Sequence, residues 1–213
     1  MARDITKLHP YMQEMAAKLV AECKKQGLII KITDCVRTKE EQNGIDASRT
    51  NAKYPKSYHN WGLAFDFCRN DGKGAYEDKD GFFTKVGRVG QKLGLQWGGE
   101  CFGKSLIDKP HFHTIKFGTY TQLISWYKDP SVYFKCWNLS TPKQPITPTS
   151  KKDDVMWMQF KFNENISAGL TVDGIYGKNS ANALKKFYDL NGWARDNKFT
   201  GYWCGNGTIK VMK

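Results

Sequence analysis

Ser57-Tyr58-His59-Asn60-Trp61-Gly62-Leu63-Ala64-Phe65-Asp66 is the stretch on which the fold turns. It is answered further along the chain by Asp108-Lys109-Pro110-His111-Phe112-His113. Pro55 and Gly62 argue against a helix through His59, which places that residue on a loop or at a strand entry. From Leu63 to Phe67 apolar residues alternate, so Leu63, Phe65 and Phe67 face one way and Ala64 and Asp66 the other. Pro110 starts a second extended run in which His111 and His113 share a face and Phe112 takes the opposite one. Together the two stretches hold three of the four histidines and two carboxylates among apolar neighbours. A catalytic zinc site needs neutral imidazoles, one carboxylate, an open position for water and a spare carboxylate as base.

His-x-x-Gly-x-Ala-x-Asp at 59 to 66, followed by Asp-x-Pro-His-Phe at 108 to 112, resembles the LAS-type zinc peptidases. That group includes D-Ala-D-Ala carboxypeptidases and the L-alanyl-D-glutamate endopeptidases found as phage endolysins. The resemblance implies His59, Asp66 and His111 as zinc ligands and Asp108 as general base, where many relatives carry Glu. It also implies an α+β, hedgehog-like fold: a small antiparallel sheet with flanking helices. His113 points the same way as His111 and reads as a rival ligand or a substrate contact. His9, beside Pro10, reads as a helix-start residue.

Upstream, Met12, Met15, Ala16, Leu19, Val20 and Cys23 recur at helical spacing, which predicts a helix over Pro10 to Gln26 stopped by Gly27. Leu28 to Thr33 is a β-rich run, expected as a central strand. Thr38-Lys-Glu-Glu41 is a capping box opening a second helix. Arg37 sits at that strand-to-helix junction. Its segment resembles the Arg-bearing segment of the same peptidases, which implies a cation on the substrate oxyanion; a surface helix-cap contact is the competing reading. Ser57 resembles a substrate-bonding position, and Gln42 is a further candidate. Residues 43 to 56 become a polar loop.

Asn70 to Asp80 reads as a surface loop, without EF-hand spacing. Phe82, Phe83, Val86, Val89, Gly90 and Leu93 predict a third helix. The turn Leu95-Gln-Trp97-Gly-Gly-Glu100 resembles one beside the family's cleft, so Trp97 lines a substrate groove or packs in the core. A helix over about 119 to 128 closes this domain, taken as residues 1 to 138.

Ser, Thr, Pro and Lys dominate residues 139 to 152, the composition of an extended linker. Beyond it, residues 153 to 213 form a small, mainly helical domain. One helix carries Val155, Met158, Gln159 and Phe162; another carries Ala181, Leu184, Phe187 and Leu190. Between them Leu170-Thr-Val-Asp173-Gly174-Ile-Tyr-Gly177 resembles the helical peptidoglycan-binding module of wall hydrolases.

The formal charge of +12 attracts polyanions, either nucleic acid or the anionic polymers of a bacterial wall, and also favours solubility. No nucleic-acid motif accompanies it. No apolar run spans a membrane, and the N-terminal residues show no secretory leader. The six cysteines form no Cys-x-x-Cys pair and read as reduced, packed thiols. The expectation is a monomeric zinc endopeptidase that acts on peptidoglycan and is held in the infected cell until release. A D-Ala-D-Ala carboxypeptidase would share its metal residues. A wall-binding protein without activity and a nucleic-acid binder are the readings from other classes.

Overall fold

A computed structural model describes residues 4–47, 50, 52–103, 106–193 and 204–212. Packing divides the chain into two compact units, Met1–Lys116 and Phe117–Lys213.

In the first unit, α1 (Pro10–Lys25) starts behind His9, whose Nδ1 accepts the Tyr11 N–H at 3.2 Å. His9, read from the sequence as a structural residue at the helix start, caps that helix. β1 (Ile30–Asp34) leads to α2 (Lys39–Asn43), where Thr38 and Glu41 satisfy each other's backbone N–H groups at 2.8 and 3.2 Å. A 3-10 turn over Tyr58–Trp61 ends at Gly62, whose φ of 66° lets the chain reverse directly into β2 (Ala64–Arg69). There follow α3 (Phe82–Lys92), β3 (Gln96–Trp97) and β4 (His111–His113). The four strands pair antiparallel in the order β1-β2-β4-β3, the small flanked sheet of an α+β domain.

Two strands differ from the sequence expectation. β1 is an edge strand, because β2 pairs with β4 on its other side. Only Ile30 within it is buried, and a short apolar run carries no mark of edge or centre. Gln96–Trp97, expected as a turn, is the opposite edge and pairs with Phe112 and His113. The polar loop over 43 to 56 falls partly on residues 48, 49 and 51, which lie outside the described residues.

Phe65, Phe67 and Phe112 form one packed face, with Phe67 and Phe112 centroids 5.4 Å apart and Phe83 of α3 5.3 Å from Phe67. A Cβ on Gly90 would overlap the Phe112 ring, so α3 approaches the sheet only because that residue has no side chain. The acidic loop after β2 serves Arg69. Its buried guanidinium bonds Asp71 at 2.8 Å and Asp80 at 2.7 Å and lies 4.5 Å over the Phe82 ring.

The second unit holds α4 (Tyr120–Tyr127), α5 (Pro130–Trp137), α6 (Lys152–Ile166), α7 (Lys178–Leu190) and α8 (Asn206–Val211). The division falls earlier than residue 138 because α5 packs on α6, with Tyr133 5.7 Å from Phe160. Residues 139 to 152 are not wholly free of this unit: Ile146 is fully buried and bridges Cys204 through paired backbone bonds of 2.9 and 2.7 Å. The Asp173-Gly174 turn is held by Gln159, whose Oε1 accepts both backbone N–H groups at 3.1 and 2.9 Å.

All six cysteines are free, and all but Cys101 are buried. Among the described residues no helix is long and apolar enough to cross a membrane.

Candidate metal centre and active site

Strand register assembles the centre. Asp66 of β2 stands opposite His111 of β4, and Ala64 opposite His113, so both histidines share the face of Asp66. Phe65 and Phe112 pair on the reverse face and anchor it in the core. The 3-10 turn before β2 brings in His59. A bulge at Thr33 places Asp34 of β1 across from Asp66.

The three side chains converge. His59 Nε2 lies 3.2 Å from Asp66 Oδ1 and 3.2 Å from His111 Nδ1, and His111 Nδ1 lies 3.0 Å from Asp66 Oδ1. Among the described residues they form the one His/Asp cluster with metal-ligand geometry. Outer contacts define the proton positions. His59 Nδ1 is 2.6 Å from the Cys35 carbonyl, an acceptor only, so Nδ1 carries the proton and Nε2 turns a lone pair inward. His111 Nε2 faces His113 Nδ1 at 3.2 Å, away from the triangle.

This donor set fits a metal. With neutral imidazoles and an ionised Asp66, a single His111 proton cannot satisfy all three inward atoms, and lone pairs are left facing one another. A central cation removes that repulsion. Tetrahedral coordination at about 2.0–2.1 Å separates ligand atoms by roughly 3.3 Å, close to the spacing seen.

The two carboxylates nearest the centre shift in opposite directions. Burial alone would raise Asp66, but the electrostatic pull of the adjacent His59 and the hydrogen bonds to His111 and His59 outweigh it and hold the group well below the carboxylate range. Asp108 is raised, chiefly by burial, with the Asp66 charge adding and the charges of His111, His59 and Arg37 opposing. Its backbone carbonyl accepts the His111 N–H at 3.1 Å, which sets Asp108 beside the centre. The His113 imidazole is pushed down to about 3 by burial, with His111 and His59 adding.

Arg37 is brought in by Asp34. Its Nε donates to Asp34 Oδ2 at 2.7 Å and its Nη2 to Asp66 Oδ2 at 2.9 Å, so it clamps the outer oxygen of Asp66. The helix-cap reading is thereby corrected. Ser57 is half-buried at the start of the His59 turn. Gln42 and Trp97 are both buried. Gln42 is 0% exposed and donates to the Ala52 carbonyl at 2.7 Å, which corrects its reading as a substrate contact. Trp97 is 3% exposed with Nε1 bonded to the Lys109 carbonyl at 2.8 Å; of its two readings, the core one describes the side chain.

Sequence reasoning missed Asp34, the Cys35 carbonyl, and the rings of Tyr58 and Phe102 beside His113. Asp34, three residues before Arg37, carried a spacing signal. A backbone carbonyl carries none.

An M15 peptidase family model, described as D-alanyl-D-alanine carboxypeptidase, matches residues 50–114, which enclose the whole cluster. The chain is 31% identical over 125 residues to the peptidoglycan L-alanyl-D-glutamate endopeptidase CwlK of Bacillus subtilis, covering 51% of this chain and 74% of that protein. The chain belongs to the M15 peptidase family. It is also 32% identical over 124 residues to the L-alanyl-D-glutamate peptidase of Listeria phage A118, covering 55% of this chain and 42% of that one. It thus spans less than half the length of that phage protein. A crystal structure of the Serratia marcescens L-Ala D-Glu endopeptidase ChiX is similar at a TM-score of 0.42 and 18% identity, over 53% of this chain and 84% of that one. The M15 peptidases are metallopeptidases, in accord with the His-Asp-His cluster.

Proposed function

We propose that this protein is a zinc-dependent peptidoglycan endopeptidase that hydrolyses the L-alanyl-D-glutamate bond of the stem peptide. The observation that carries the reading is the triangle of His59 Nε2, Asp66 Oδ1 and His111 Nδ1, bordered by a carboxyl group with a raised pKa. The bond assignment is supported by the names of the Bacillus and Listeria phage relatives.

His59, Asp66 and His111 would hold Zn2+, which when bound polarises a carbonyl and acidifies water. Asp108 accepts the proton of the attacking water and returns it to the leaving amine; its raised pKa matches it to both tasks. Arg37 keeps Asp66 ionised and aimed, and its charge supports an oxyanion on the same side. Ser57 is the remaining candidate for a hydrogen bond to substrate.

We assign wall binding to the helical part of the second unit, where the Leu170 to Gly177 motif supports it. The excess positive charge favours anionic wall polymers. The phage relative supports an endolysin, kept in the infected cell until released to the wall.

Mass spectrometry of digested walls tests the proposal. A new amino terminus at D-glutamate is expected, abolished by EDTA and by His59→Ala. Loss of the terminal D-alanine alone would establish the carboxypeptidase that the family model's description favours. Intact walls with a fully zinc-loaded protein would overturn both. Full-length Asp108→Asn should sediment with purified walls, less so as NaCl rises from 0.1 to 1 M, because the screening length falls from about 10 to about 3 Å.

A further inference from the structure

His113 stands directly behind His111, and no step of the proposed hydrolysis uses it. Its Nδ1 is 3.2 Å from His111 Nε2, the ring nitrogen turned away from the triangle. Its ring is buried, and two aromatic rings stack on it: Tyr58 at a centroid distance of 4.2 Å with 12° between planes, and Phe102 at 5.4 Å and 11°. Strand pairing with Ala64 holds the backbone beneath it. An imidazole so restrained presents Nδ1 in one direction.

His59 shows why that direction matters. Its outer nitrogen donates to the Cys35 carbonyl, and this leaves the inner lone pair free. His111 needs an equivalent partner, because its ring can rotate by half a turn and withdraw Nδ1 from the centre. Around its outer nitrogen the contact found is another imidazole, not a carboxylate or a carbonyl.

We propose that His113 is a positioning residue. As a neutral imidazole it accepts the Nε2–H of His111 through its own Nδ1, and so holds the His111 Nδ1 lone pair on the metal position. This inference rests on the reading of His59, Asp66 and His111 as the metal ligands. It replaces the expectation that His113 is a rival ligand or a substrate contact. The choice of partner has a chemical consequence. A neutral acceptor orients the His111 ring without drawing it toward imidazolate, so the centre keeps more positive charge than it would behind a carboxylate.

Two variants separate the hydrogen bond from the packing. His113→Phe keeps a flat ring between Tyr58 and Phe102 and removes the acceptor. His113→Gln restores an acceptor oxygen. Zn2+ affinity is measured for each full-length protein by chelator competition, with circular dichroism to establish that each is folded. His113→Phe should bind Zn2+ about 10–100-fold more weakly than wild type. His113→Gln should recover to within about threefold. Nitrogen-15 spectra of the zinc-loaded wild type should show a slowly exchanging His111 Nε2–H that is absent from His113→Phe.

Wild-type affinity in His113→Phe overturns the proposal. So does an affinity in His113→Gln as low as that of His59→Ala, which would make His113 a ligand. A folded wild type that binds no Zn2+ would instead sink the metal-site reading itself, and the wild-type titration alone shows it.

Discussion

Asp66 and Asp108 carry the same functional group, and their surroundings drive them in opposite directions. The two imidazoles hold Asp66 as an anion, with the Arg37 guanidinium on its outer oxygen, whereas burial favours the protonated form of Asp108. Asp108→Asn should therefore keep its zinc in metal analysis while hydrolysis falls by about 10²–10⁴-fold. Loss of zinc in that variant would move Asp108 among the ligands. Arg69 gives a prediction away from the centre. Its hydrogen bonds hold Asp71 down to about 2, below the ordinary value of 3.8. The folded pKa lies below the unfolded one, so this pairing stabilises above about pH 4 and is lost as pH falls through 2. Arg69→Met should melt lower than wild type at pH 7, and the gap should close between pH 4 and 2. A constant gap would assign the loss to packing on Phe82. At this scale the grouping of His59, Asp66 and His111 was legible, because residue type and short-range spacing determine what a turn or a strand can present. The burial of Gln42 was not, because burial depends on what the rest of the chain lays over a residue.

The sheet works as an element because one face is chemistry and the other is aromatic core. Extended backbone alternates its side chains, so Phe65 and Phe112 anchor the strands that carry Asp66 and His111. Close contact between α3 and that face depends on Gly90. Gly90→Ala should lower unfolding free energy by about 1–3 kcal/mol, through the overlap of its methyl with Phe112. Urea denaturation checks this, and a neutral result would mean that α3 shifts at no cost. α1, α3, α6 and α7 were legible from their apolar periodicity. α5 went unread although Asp129 caps it and Pro130 fills its first turn, both ordinary start signals. β3 has two residues, too few for any period to show.

Metal and folding are coupled at the scale of the whole molecule. The proposed ligands come from a 3-10 turn and two strands, so a metal held there would bind the folded arrangement in preference to the open chain. EDTA should lower the melting temperature, and free Zn2+ at about 100 times its Kd should restore about 2.7 kcal/mol. A melting curve unchanged by chelation would mean that the triangle is organised without the ion. The sequence by itself determined the candidate residues: two imidazoles, a carboxylate and a second acid, picked out by type and spacing, with Asp66 and His111 on strands whose alternation fixes their faces. That much follows from local sterics, which act over a few residues. Only the tertiary structure decided which nitrogen of each ring turns inward, that Arg37 is bound through Asp34, and that His113 backs His111. Those outcomes depend on strand register and on the bulge at Thr33, and register is chosen by the packing of segments far apart in the chain.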